Sequence, residues 1–156
     1  YFARRNEELK NLMIKAVAMD TTVAWGYDWL GMAYVQLKQY DESIKVYRIA
    51  AKLSDGLAEI MAGLGHAYGM AGRTDEARAV LEEMLAASKK WYVPPVQIAF
   101  VCLSIGDMDQ AYSFLEKAYQ ERSWELAFMR EEPWLDDLHS DERFLSILNR
   151  LNCPPK

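Results

Sequence analysis

One repetition constrains this chain more than any other feature. Leu30-Gly31-Met32-Ala33-Tyr34 and Leu64-Gly65-His66-Ala67-Tyr68 differ at one position and lie 34 residues apart, and Ile98-Ala99-Phe100-Val101-Cys102 is a degenerate third copy at the same offset. The downstream halves keep step: Ser43, Ala77 and Ala111 share the spacing, as do Tyr47, Leu81 and Leu115, and Ala50, Met84 and Ala118. Self-similarity at such a period belongs to stacked units, each too small to bury its apolar face alone. Asp41, Asp75 and Asp109 recur where the second helix of each unit should begin, and Asp is a strong N-cap. Gly72 and Gly106 stand three residues earlier, where the first helix should end, and Lys38 takes that place in the first copy.

Within a unit, Tyr27, Leu30 and Tyr34 are spaced i, i+3, i+7, which puts them on one helical face. Gly31 and Gly65 allow the two helices of a hairpin to approach closely, and Ala33 and Ala67 can do the same against the preceding unit. The chain reads Tyr27-x2-Leu30-Gly31-x2-Tyr34 with Ser43-x3-Tyr47, and Met61-x2-Leu64-Gly65-x2-Tyr68 with Ala77-x3-Leu81. The third copy is Pro95-x2-Ile98-Ala99-x2-Cys102 with Ala111-x3-Leu115. This pattern resembles the tetratricopeptide repeat, a helix-turn-helix unit of 34 residues. The family's closing Pro is missing; Asp55, Lys89 and Ser123 stand there. The resemblance implies an all-α solenoid of antiparallel helical hairpins. Its expected division is one domain: a truncated leading repeat at 1–21 (carrying Leu9, Met13 and Ala16), repeats at 24–57, 58–91 and 92–123, and capping helices at 124–156.

The period fails beyond the third copy, because Pro133 would fall inside the next first helix. A short helix is expected over Trp124–Glu132, then a connector from Pro133 to His139. Ser140 or Asp141 then caps a last helix whose apolar side carries Phe144, Leu145, Leu148 and Leu151. Such an end shields the last repeat. The stretches Tyr92-Val93-Pro94-Pro95-Val96-Gln97-Ile98-Ala99 and Pro133-Trp134-Leu135-Asp136-Asp137-Leu138-His139-Ser140-Asp141-Glu142-Arg143-Phe144 are similar to C-terminal repeat regions of bacterial multidomain regulators. That similarity implies a regulatory, scaffolding or self-association segment of a larger signalling protein (kinase, cyclase or transcription regulator), and carries no enzymatic activity with it. The absence of an initiator Met fits a fragment.

By the same resemblance, the first helices line a concave groove. Trp25, Asp28 and Met32 lie nearly opposite the core-facing Tyr27, Leu30 and Tyr34. Their equivalents are Glu59, Ala62 and His66, then Val93, Val96 and Phe100. The expected partner site is therefore Trp25, Asp28, Met32, Glu59, His66, Val96 and Phe100, with Trp25 and Phe100 as aromatic anchors for a protein or peptide. A packing role competes with this: Trp25 against the truncated repeat, and Val96 and Phe100 beneath the cap. A carboxylate clamp is not expected, since none of these groove positions is Lys, Arg or Asn. An uncovered N-terminal edge, with Tyr1 and Phe2, offers a possible homodimer contact.

Composition narrows the function further. The 156 residues are 51% hydrophobic with a formal charge of −5. An acidic balance argues against nucleic-acid binding. No apolar run approaches a membrane span, and the first residues lack the apolar core of a signal peptide. Two cysteines fit a reduced, cytoplasmic setting. The charge is uneven: residues 1–78 hold ten basic and ten acidic groups, residues 79–156 eight and thirteen. The acidic run from Glu121 to Glu142 is either a docking face for a basic partner or a solvating surface. The only histidines, His66 and His139, lie far apart in the repeat register, and no metal, phosphate-loop or nucleophile motif is present. No catalytic residue, metal or cofactor is expected; a metal or proton relay at His66 with Asp28 and Glu59 is the weakest alternative. Cys102 replaces a core Tyr and reads as a small buried hydrophobe, whereas Cys153 reads as the exposed thiol.

Overall fold

The structure, a computed structural model, describes residues 2–131, 135, 138 and 140–151. Eight α-helices follow one another among these residues: α1 (Phe2–Met19), α2 (Ala24–Gln36), α3 (Tyr40–Leu53), α4 (Ala58–Met70), α5 (Thr74–Ala87), α6 (Pro95–Ser104), α7 (Met108–Gln120) and α8 (Glu142–Arg150). A 3₁₀ segment, Trp124–Glu131, precedes α8. The helices pack as an α-solenoid. α2 pairs with α3, α4 with α5 and α6 with α7; α4 touches both α2 and α6, so the first helices form a continuous row.

The turns inside the hairpins show why the repeat closes. Lys38, Gly72 and Gly106 all have positive φ (59°, 73° and 76°). In each turn an N–H reaches back to the carbonyl five residues earlier: Gln39 to Tyr34 (2.8 Å), Arg73 to Tyr68 (2.9 Å) and Asp107 to Cys102 (2.9 Å). This is the Schellman closure, which glycine adopts without a Cβ penalty. Lys38 adopts it at a cost of about 1 kcal/mol. The expected caps are displaced. Asp41, Asp75 and Asp109 lie at the second helical position, because α3, α5 and α7 start at Tyr40, Thr74 and Met108. Their carboxylates there complement the helix dipole rather than cap it. Asp107 is the true cap of α7, accepting from the Gln110 N–H.

Close approach explains the helical glycines. A Cβ on Gly31 would sit 2.5–2.8 Å from the Tyr47 ring, and one on Gly63 would strike the same ring from the next first helix. Tyr47 is thus clamped between two glycines of successive repeats. Ser43 is fully buried at the same hairpin and donates its hydroxyl to the Gly31 carbonyl (2.9 Å). Gly65 works differently: its space is limited by Val101 of the following repeat as well as by Val80 of its own hairpin.

Two departures from strict repetition shape the surface. α6 begins at Pro95, three residues later than α2 and α4 begin in their units. A residue that precedes proline is kept out of the helical region, so Val93 and Pro94 stay extended and Pro95 becomes the first helical residue. In the other direction, the period persists further than the sequence suggests. α3, α5, α7 and α8 begin at residues 40, 74, 108 and 142, each 34 apart. In the fourth unit a 3₁₀ segment, Trp124–Glu131, comes before α8, and α8 keeps the register of the second helices. Two ion pairs mark that register: Arg143 Nη1 to Asp109 Oδ1 at 2.9 Å, and Arg150 Nη1 to Glu116 Oε1 at 3.0 Å. As expected, Asp141 caps α8, accepting from the Arg143 N–H. Phe144, Ile147 and Leu148 are its buried side; Leu145 and Leu151 are only half-buried.

The core is two clusters. One runs from α2 to Ala111 of α7; the other joins Val96, Ala99, Tyr112, Leu115 and Ala118 to Leu126, Met129, Leu135, Phe144, Ile147 and Leu148 of the C-terminal elements. Cys102 is buried and its thiol is pushed up to about 12, chiefly by burial, which makes it inert. Tyr1, Pro133, Trp134, His139 and Cys153 lie outside the described residues.

Candidate interaction surfaces

The expected groove residues share an element row but not a fate. Trp25 is 48% exposed on α2, and Asp28 and Met32 are half-buried beside it. Burial, reinforced by the Glu59 carboxylate, raises Asp28 to about 6. Glu59 and Asp28 are therefore electrostatic neighbours across α2 and α4, and the Asp28 charge also contributes to the upward shift of the buried Tyr47 hydroxyl. Glu59 Oε2 is buried without a hydrogen-bond partner among the described residues. Ala62 is buried. His66 is half-buried, with burial lowering its imidazole to about 4, so it is neutral near pH 7.

The third-repeat positions are covered. Val96 is 0% exposed and packs in the cluster that includes Leu126, Leu135 and Phe144. Val93 is also buried, and Phe100 is half-buried against the same cluster. Val96 thus takes the packing alternative and offers no groove surface. The cause is the C-terminal cap, whose apolar side chains need a partner face and find this one. Among the described residues, no group of three or more His, Cys, Asp or Glu is placed to hold a metal ion, and no helix is long and apolar enough to cross a membrane.

The sequence reading missed a second surface. All four described tryptophans are exposed: Trp25, Trp29, Trp91 and Trp124. Tryptophan is usually mostly buried, so four exposed rings are informative. Trp29 lies one turn from Trp25 on α2. Trp91 and Trp124 instead line an open cavity of about 790 Å³ at the inter-repeat linkers, together with Leu57, Tyr92 and Pro94. Carboxylates of Asp55, Glu59, Glu121 and Glu125 line it as well, beside the single guanidinium of Arg122. The signal available in sequence was the Trp91-Tyr92-Val93-Pro94-Pro95 run, whose prolines remove the first turn of the helix.

Residues 22–90 match the tetratricopeptide repeat family model. No curated protein matches the chain.

Proposed function

The chain carries tetratricopeptide repeats over residues 22–90, and from that premise we propose that it is a non-catalytic scaffold that binds a protein or peptide along the row of first helices. Tetratricopeptide repeats generally mediate protein–protein interaction. The observation that carries the finer reading is the half-exposed Trp25 next to Asp28, on a helix whose opposite face is core. An exposed indole on an ordered helix supports this reading, because tryptophan is among the residue types most enriched in binding hot spots. The proposed site comprises Trp25, Asp28, Met32, Glu59 and His66, with Phe100 at its margin and Val96 excluded. The frame is one domain, with repeats at 24–57, 58–91 and 92–123 between a leading half-repeat and the cap. Affinity capture with wild type and with Trp25→Ala/Met32→Ala tests it. Partners lost in the double variant support the groove; an unchanged partner set retires it.

A second reading is self-association through the N-terminal edge. Leu12 and Met19 on α1 are 59% and 89% exposed, so apolar side chains stand uncovered there. Sedimentation at several concentrations distinguishes a monomer from a dimer, and Leu12→Glu/Met19→Glu should abolish any dimer.

A further inference from the structure

We propose that the linker-edge cavity is a second docking site, and that its occupant is an arginine-bearing segment of a partner protein. This site shares only Glu59 with the groove reading and does not rest on it. The cavity lies where Pro94 and Pro95 delay the start of α6, so residues 91–94 stay outside any helix where a first turn would otherwise stand. What lines the space is ring and carboxylate. Trp91, Tyr92 and Trp124 are 62%, 67% and 71% exposed. Tyr92 donates its hydroxyl to Glu121 Oε2 at 3.0 Å, which holds one carboxylate beside one ring. Burial raises the Tyr92 phenol, and the Glu121 hydrogen bond and the Glu121 and Glu125 charges add to that shift. Four lining carboxylates face one lining guanidinium. Glu59, whose Oε2 has no hydrogen-bond partner among the described residues, is one of the lining residues.

A concave site with aromatic walls and excess negative charge selects a cation. The molecule itself shows which cation suits these components. Arg143 lies 4.2 Å over the Tyr112 ring and pairs with Asp109. Arg150 lies 4.3 Å over Tyr119 and pairs with Glu116. Arg73 lies 5.0 Å over Tyr68 and pairs with Glu76. In all three, a planar guanidinium covers a tyrosine and binds a neighbouring carboxylate, which an ammonium does less well. The cavity presents the same ring and carboxylate in Tyr92 and Glu121. Two lysines already approach this edge from outside the lining: Lys90 is 5.9 Å from the Trp91 ring centre, and Lys117 is 3.9 Å from Glu121 Oε1. Both distances are long, and both lysines stay on the surface.

The test uses the full chain and a short blocked peptide with spaced arginines. The controls are the same peptide with citrulline, which keeps the shape and loses the charge, and with lysine. Tryptophan fluorescence and peptide anisotropy report binding. The arginine peptide should bind saturably, more tightly than the lysine peptide, and the citrulline peptide should not bind. Trp124→Ala and Glu121→Gln should each weaken binding roughly fivefold. Far-UV circular dichroism should not change, because both side chains are exposed. Raising the salt concentration should weaken binding further. Equal binding of the citrulline peptide, or affinity untouched by Trp124→Ala, overturns the proposal. Affinity lost in Trp25→Ala but kept in Trp124→Ala would move the peptide to the groove and also overturn it, leaving the groove reading intact. A dimer that protects Trp124 while no peptide binds would assign the cavity to a second copy, which rejects the proposal as well.

Discussion

At the first repeat, Trp25 on the face it shares with Asp28 and Met32 is open, whereas at the third Val93 and Val96 are sealed and Phe100 is half-buried. Asp28 and Val96 occupy the same place in their units, 68 residues apart. One is a half-buried acid raised to about 6, and the other is 0% exposed. Helical phase is the same for both. What differs is the neighbour: the row ends at α6 under Leu126, Leu135 and Phe144, while nothing described packs in that manner over Trp25. A repeat address therefore specifies direction but not exposure, and residue chemistry follows exposure.

Exchanging the two residue types gives the strongest attack on this contrast. Val96→Asp puts a charge into a sealed apolar cluster and should cost on the order of 4 kcal/mol or more. Asp28→Val should be neutral or stabilising, since it removes a desolvated carboxylate. Urea denaturation of both variants checks this, and similar costs at the two positions would break the comparison.

A smaller effect comes from pH. Asp28 is raised in the folded state, so it holds its proton there between about pH 4 and pH 6 when the unfolded chain does not; its share of stability is present at low pH and lost as pH rises through 6. His66 is lowered to about 4, so its share is present above the ordinary histidine value and lost as pH falls towards 4. Over this window the two oppose one another. Asp28→Asn removes the first alone. The variant should be more stable than wild type at pH 7, and that advantage should shrink by on the order of 2 kcal/mol on acidification to pH 4. The exposed carboxylates are common to both proteins and cancel in the difference. Melting temperatures measured from pH 4 to pH 7 test this; parallel curves would place Asp28 in water.

The smallest effect compares the turns. Lys38→Gly should stabilise by about 1 kcal/mol, because it relieves the left-handed lysine, whereas Gly72→Ala should destabilise by a similar amount. Chemical denaturation of both is sufficient, and a destabilised Lys38→Gly would show that the lysine stem contributes more through contact than its backbone loses.

Much of the fold was legible because the repeat rests on local rules. The turn at residues 38, 72 and 106 needs a left-handed residue, and two of the three are glycine. Gly31 is small because Tyr47 lies against it, and both positions recur, as Gly65 and Ala99 and as Leu81 and Leu115. The second helices were anticipated, although their starts were misplaced by the conspicuous Asp41, Asp75 and Asp109, which serve the helix dipole rather than the cap. The fourth unit was less legible. Pro133 signals a break in the first helix, and that break hid the register that Arg143 and Arg150 retain through Asp109 and Glu116. The candidate groove was legible as a set of positions on helices, of which Trp25 is exposed, Asp28, Met32, Glu59, His66 and Phe100 are half-buried and Val96 is buried. The linker-edge cavity was not legible as a site: Trp91 and Trp124 are 33 residues apart, and neither belongs to a shared pattern.

The sequence by itself determined the unit, its period and the face each first helix turns inward, because these follow from side chains within one hairpin and from backbone freedom at one turn. Only the tertiary structure decided which of those faces met water. Exposure depends on whether a later segment has apolar surface to place there, and the cap supplies it to Val96 and not to Asp28. The same holds at the linker edge, where two prolines remove a helical turn and the resulting space gathers rings and carboxylates from three separate linkers. Local rules are written in short spacings; a surface is written by whatever packs against it.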